Sequence, residues 1–119
     1  MTCSLRLTAL HLLMVNRFAR ENVIQMLVVE LTKYNTLPSA QVRSRHFEYI
    51  RKAGAGGKVV MAGRFADALG ALIIWKVSSF EECRKLAEED PYFQENWITY
   101  ELREWPAVFD YTVDPPKIP

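Results

Sequence analysis

Ala71-Leu72-Ile73-Ile74-Trp75-Lys76-Val77, followed at once by Ser78-Ser79-Phe80-Glu81-Glu82, is an apolar, β-branched run that gives way within two residues to a helix start. The run reads as a strand. Ser79-Phe80-Glu81-Glu82 matches a capping box, in which the serine hydroxyl and the glutamate each satisfy a backbone donor at the helix start. Phe80, Cys83, Leu86 and Ala87 then mark the buried face of a helix that Pro91 ends. Working upstream, Lys58-Val59-Val60-Met61-Ala62-Gly63 is a second apolar run, separated from the first by a loop containing Asp67 and Gly70, which predicts a hairpin. Gly54-Ala55-Gly56-Gly57 stops an earlier helix that Ser39 caps, with Val42, His46, Tyr49, Ile50 and Ala53 recurring on one face. Before it, Met26-Leu27-Val28-Val29-Glu30-Leu31 reads as a strand, followed by a loop holding Asn35 and Pro38. Downstream, residues 91–96 offer one more turn, and residues 97–105 alternate as a last strand with Ile98, Tyr100 and Leu102 on one side.

Strand, helix, strand, strand, helix, strand is the βαββαβ order of a ferredoxin-like α+β fold, with both helices on one face of a four-stranded antiparallel sheet. The hairpin strands are apolar on both sides, so the other face also needs a cover. A second copy of the chain supplies it most simply, and a homodimer closing into a dimeric α+β barrel is expected.

The chain has 119 residues and a mass of 13.8 kDa, the size of one domain, and its 50% hydrophobic content fills one modest core. Fifteen Lys and Arg against fourteen Asp and Glu leave a formal net charge of +1, with the two signs interspersed, which excludes the basic footprint of a nucleic-acid binder. Cys3 and Cys83 form neither a disulfide framework nor a metal knuckle, and a reducing, cytoplasmic setting is expected. The longest apolar run, around Leu10 to Val15, is interrupted by His11 and too short to span a bilayer. Residues 1–25 carry Arg6, Arg17 and Arg20 before the first acid, Glu21. Three readings stand for them: a presequence, which would direct the protein to mitochondria, upstream sequence before a natural start at Met26, or an extra amphipathic helix. The domain proper is expected over residues 26–105. Residues 106–119, with Pro106, Pro115, Pro116 and Pro119, are expected to form an extended arm.

Arg43-Ser44-Arg45-His46-Phe47-Glu48-Tyr49-Ile50, Met61-Ala62-Gly63, Gly70-Ala71-Leu72 and above all Glu89-Asp90-Pro91-Tyr92-Phe93 resemble, in order and spacing, the YciI-like (YCII-related) proteins, over about Met26 to Trp105. The family pattern is an arginine three residues before a helical histidine, an Ala-Gly-Pro closing the second strand, and an Asp-Pro-aromatic after the second helix. Arg64 stands here in place of that proline. The resemblance implies a dimeric α+β barrel with a histidine and aspartate pair, here His46 and Asp90, in a cleft. The wider superfamily includes muconolactone isomerases, cofactor-free monooxygenases and dehydrochlorinases.

The residues themselves leave two readings open at each position. His46 lies on the sheet-facing stripe of its helix, either as a buried neutral imidazole satisfied by a carbonyl or as a working base. Asp90 lies on the inward stripe of the second helix, either as the cap of the turn that Pro91 starts or as a partner for His46. A carboxylate bonded to one ring nitrogen fixes the tautomer and frees the other nitrogen to take a proton, which is general acid/base equipment. Arg43 and Arg64 are either surface cations or holders of a substrate carboxylate or phenolate. Ser44 and Cys83 lack a triad, and Glu48, Glu81, Glu82 and Glu89 read as solvated helix charges. The glycine stretch before Lys58 leads from helix into strand, the reverse of a phosphate loop. His11 and His46 lack companions at ligand spacing, so neither metal nor cofactor is expected. Trp75, Trp97 and Trp105 are assigned to packing. Two function classes remain: a cofactor-independent lyase or isomerase acting through His46 and Asp90 on a small anionic or aromatic metabolite, and a non-catalytic dimeric module that binds a small ligand or a protein.

Overall fold

A computed structural model describes residues 25–119; the expectations for the N-terminal segment, Cys3 and His11 included, lie outside the described residues. The elements run β1 (Met26–Tyr34), α1 (Ala40–Ala55), β2 (Val59–Arg64), β3 (Gly70–Val77), α2 (Phe80–Glu89), α3 (Pro91–Gln94) and β4 (Ile98–Glu104). The four strands form one antiparallel sheet in the order β2-β3-β1-β4, so the fold is the expected α+β arrangement.

Alternation along the strands separates two faces. Val28, Glu30, Thr32 and Tyr34 of β1 pair in register with Trp75, Ile73 and Ala71 of β3 and with Leu102, Tyr100 and Ile98 of β4. This is the face that the helices cover. Val28, Ile73, Trp75, Val77 and Cys83 form its main core, with Tyr49, Ile50, Ala53 and Leu86 of the helices packed against them. Sealing each such aliphatic side chain from water contributes roughly 1.5–3 kcal/mol. A second cluster of Val42, Tyr92 and Ile98, flanked by Tyr34, Phe93 and Trp97, joins α1 and α3 to the far end of β4. The opposite face presents Leu27, Val29 and Leu31 beside Leu72 and Ile74, with Met61 at the edge. None of the described helices covers it.

Local chemistry explains the boundaries. Ser39 and Ser79 cap α1 and α2 by accepting from the Val42 and Glu82 backbone N–H groups. Gly57, at φ 78°, takes the chain out of α1 in a conformation that other residues resist. Gly70 opens β3 rather than lying in the loop. A Cβ on Gly70 would sit 2.1 Å from the Thr32 carbonyl oxygen, so no side chain fits where β3 approaches β1.

Four further expectations need correction. Phe80 is 39% exposed, because it occupies the first turn of α2 before the helix has come over the sheet. Glu82 does not close the capping box on Ser79: it accepts from the backbone N–H and hydroxyl of Ser78, one residue earlier. Nor is Glu82 a free surface charge, since Lys58 lies 2.5 Å away and ties the start of β2 to α2. The tail after Trp105 is not uniformly extended. Asp110 and Lys117 exchange backbone hydrogen bonds of 2.8 and 2.9 Å, so this part of the arm doubles back. Among the described residues, no helix is long and apolar enough to cross a membrane.

Candidate functional site

His46 and Asp90 come from different elements and meet. α1 carries His46 one turn after Val42, which is buried, so the imidazole points toward the sheet and keeps only 13% of its side chain exposed. Asp90 lies at the junction of α2 and α3, with 1% of its side chain exposed. His46 Nδ1 is 2.8 Å from both carboxylate oxygens of Asp90. A carboxylate is an acceptor only, so this contact places the ring hydrogen on Nδ1 and leaves Nε2 as the basic nitrogen.

Asp90 is also a cap. Its Oδ1 accepts from the Tyr92 backbone N–H at 2.9 Å, with Pro91 at the first position of α3. The two readings of Asp90 are therefore compatible: one carboxylate starts the turn and holds the histidine. That turn also positions the Tyr92 ring, which stacks on the His46 imidazole with centroids 3.9 Å apart and planes 5° from parallel. Tyr34, at the end of β1, meets Tyr92 edge-on at 6.1 Å. The imidazole is thus held by a hydrogen bond in its plane and a ring against its face.

Beside His46 opens a cavity of about 420 Å³, within the usual range for small-molecule sites. Its space comes from missing side-chain volume on the helix-side face of the sheet, where Ala62 of β2 and Ala71 of β3 line it together with Gly63. Ile50, Ile73, Phe47 and Pro38 supply apolar surface. Arg43 and Arg64 both line the cavity. Arg43 is one turn before His46 on α1 and donates from Nη2 to the Pro38 carbonyl at 3.2 Å. Arg64 is the last residue of β2, in register with Ala71.

The electrostatics are those of a cation-lined, half-buried pocket. Burial pushes the Tyr34 phenol above its ordinary pKa, and the Arg64 and Arg43 charges oppose that rise. Burial likewise pushes Tyr92 up to about 12, with Arg43 again acting in the opposite sense. Both phenols stay protonated as neutral donors at physiological pH. Cys83 lies in the core rather than in the cavity, and burial raises its thiol to about 12, which withholds the thiolate. Among the described residues, no group of three or more His, Cys, Asp or Glu side chains could hold a metal ion.

All four residues singled out in the sequence border one region: His46, Arg43 and Arg64 line the cavity, and Asp90 holds His46 from behind. Sequence reasoning did not single out Tyr34 or Tyr92. Tyr92 lies in the quoted Asp-Pro-aromatic motif, and Tyr34 continues the alternation Val28, Glu30, Thr32, so a signal existed for each.

Among solved structures, the chain is similar to the 5-chloro-2-hydroxyhydroquinone dehydrochlorinase of Burkholderia phenoliruptrix AC1100 in complex with 2,5-dihydroxybenzoquinone. The likeness has a TM-score of 0.54 at 18% identity and covers 70% of this chain and 96% of that one, which shows a shared fold. No curated protein matches the chain. The family model of the YCII-related domain matches residues 26–106, most of the chain and every element described above, and the chain therefore belongs to the YCII-related domain family.

Proposed function

We propose that the protein is a cofactor-independent lyase or isomerase that moves a proton on a small anionic or aromatic metabolite, with His46 as the base and Asp90 as the group that orients it. One observation carries the reading: an imidazole bonded through Nδ1 to a buried carboxylate at 2.8 Å, beside a cavity of substrate size. In this reading a substrate sits between the apolar surface of Ile50 and Ile73 and the Arg43 and Arg64 guanidiniums, which hold its anionic oxygens. Nε2 of His46 takes a proton from the substrate, and Asp90 stabilises the imidazolium that forms. That proton is then returned at another atom in an isomerisation, or leaves together with an anionic leaving group in an elimination. The dehydrochlorinase of similar fold acts on a chlorinated hydroxyhydroquinone, which makes polyhydroxylated and chlorinated benzenes the first compounds to assay. The domain is read as residues 26–105, followed by the proline-rich arm, and is expected to work as a homodimer.

The competing reading is a non-catalytic dimeric module. It gains support from the capping bond of Asp90 to Tyr92, which gives that carboxylate a structural task independent of chemistry. Turnover separates the two. With a substrate found, His46→Ala should lower kcat by a factor of about 10²–10⁴ while the circular dichroism spectrum is kept. A ligand that binds with unchanged affinity to both proteins and is converted by neither would sink the enzymatic reading.

A further inference from the structure

We infer that the cavity selects small aromatic dianions, a planar ring bearing two ionised groups, with Arg43 receiving one group and Arg64 the other. The inference rests on the pocket reading above and adds the charge of the ligand to it. Arg43 and Arg64 reach the cavity from different elements, one from α1 and one from the exposed edge strand β2, so they approach it from separate walls. No acidic side chain is among the described residues that line it. Neither arginine has a carboxylate partner among the described residues, although Arg45 and Arg51 on α1 and Arg84 on α2 are each ion-paired. Asp90, buried behind His46, has its oxygens engaged by His46 and the Tyr92 N–H.

Two guanidiniums on one small cavity, neither with a carboxylate among the described residues, repel each other and raise its potential. A monoanion relieves one of them and leaves the second facing an occupied, less hydrated pocket. A dianion relieves both, and each carboxylate can take two parallel N–H donors from its guanidinium. Both cations also act on the Tyr34 phenol, which places their influence on a common part of the pocket. The lining they share is largely apolar, with Ile50, Ile73 and the Phe47 ring among its residues and only the small Ala62 and Ala71 on the sheet side.

The test compares benzoate with its dicarboxylates, isophthalate and terephthalate, at pH 7.5 in low salt, following the His46 ring protons by NMR and affinity by calorimetry. The dicarboxylate of better-fitting spacing is expected to bind wild-type protein about tenfold or more tightly than benzoate, and Arg64→Gln is expected to reduce that ratio to within about twofold. Arg64 is exposed on an edge strand, and a thermal melt confirms that the variant stays folded. Benzoate binding as tightly as either dicarboxylate, or a preference for the dicarboxylates that survives Arg64→Gln, overturns the dianion inference and leaves the pocket reading standing. If no aromatic anion of either charge shifts the His46 signals, the pocket reading falls and the inference with it.

Discussion

Glu30 is a carboxyl group sealed between the sheet and its helices, fully buried on the inward face of β1. Trp75 Nε1 donates to its Oε1 at 2.9 Å, and its Oε2 has no partner. Burial raises its pKa from 4.5 to about 7, with the Trp75 bond opposing the shift and the Asp90 charge adding to it. The folded chain therefore binds this proton more tightly than the unfolded one, so the stability associated with it is fully present below about pH 4.5 and is lost as the pH rises through about 7. Glu30→Gln removes the titration while keeping an acceptor for Trp75. The stability of the variant relative to wild type should rise between pH 4 and pH 8 by on the order of 3 kcal/mol, read from urea melts at both values. A gap that does not move with pH would show that Glu30 titrates alike in both states. Nothing in the sequence pattern singled out Glu30, although it shares the inward face with Val28, because alternation reports where a residue points and not whether its charge is tolerated there. The same limit applied to Asp90: spacing presented cap and partner as rivals, and only the geometry of two oxygens shows one carboxylate serving both.

The elements were largely legible, since each rests on a local signal that the final packing does not oppose. The serine caps, the glycine stop after α1, the Pro91 break and the alternation of β4 all lie where sequence periodicity places them. What escaped were details set by contacts distant in sequence, such as Gly70, whose place in β3 is decided by the Thr32 carbonyl across the sheet. Gly70→Ala should consequently destabilise the fold by several kcal/mol, because backbone must shift on β1 or β3 to admit the methyl group. A melting temperature within about 2 °C of wild type would mean that the strands separate there without penalty. The link between β2 and α2 was equally hidden. Lys58, together with two hydrogen bonds from Ser78, holds the Glu82 carboxyl down at about 2. That link contributes stability above the unfolded carboxylate range and loses it as the pH falls toward 2. Glu82→Gln should thus destabilise the protein at pH 7 and approach wild type near pH 2, a comparison that thermal melts make directly.

At the scale of the molecule, helices lie on one face of the sheet, and the other carries an apolar patch on the central strands bordered by Lys76, Glu101 and Arg103. Leu31 and Ile74 lie near the middle of that second face, on the two central strands. A homodimer that pairs these faces should scatter light as about twice the chain mass at micromolar concentration, and Ile74→Lys should drive it toward monomer. A wild-type monomer would require another cover for the face. The fold class was readable from the order of the elements, whereas the cavity was not, because it is made by what Ala62 and Ala71 lack.

The strand order puts the proposed chemistry and the proposed selectivity on parts of the protein with different tolerance to change. His46 and Asp90 are anchored beside Val42, Tyr92 and Ile98, where a substitution disturbs packing. The opposite wall belongs to β2, an edge strand bonded on one side only, whose residues from Val60 to Arg64 are all exposed. Substitutions at these exposed positions cost little packing, so that wall can change, and with it the ligand preference, without the chain first becoming more stable.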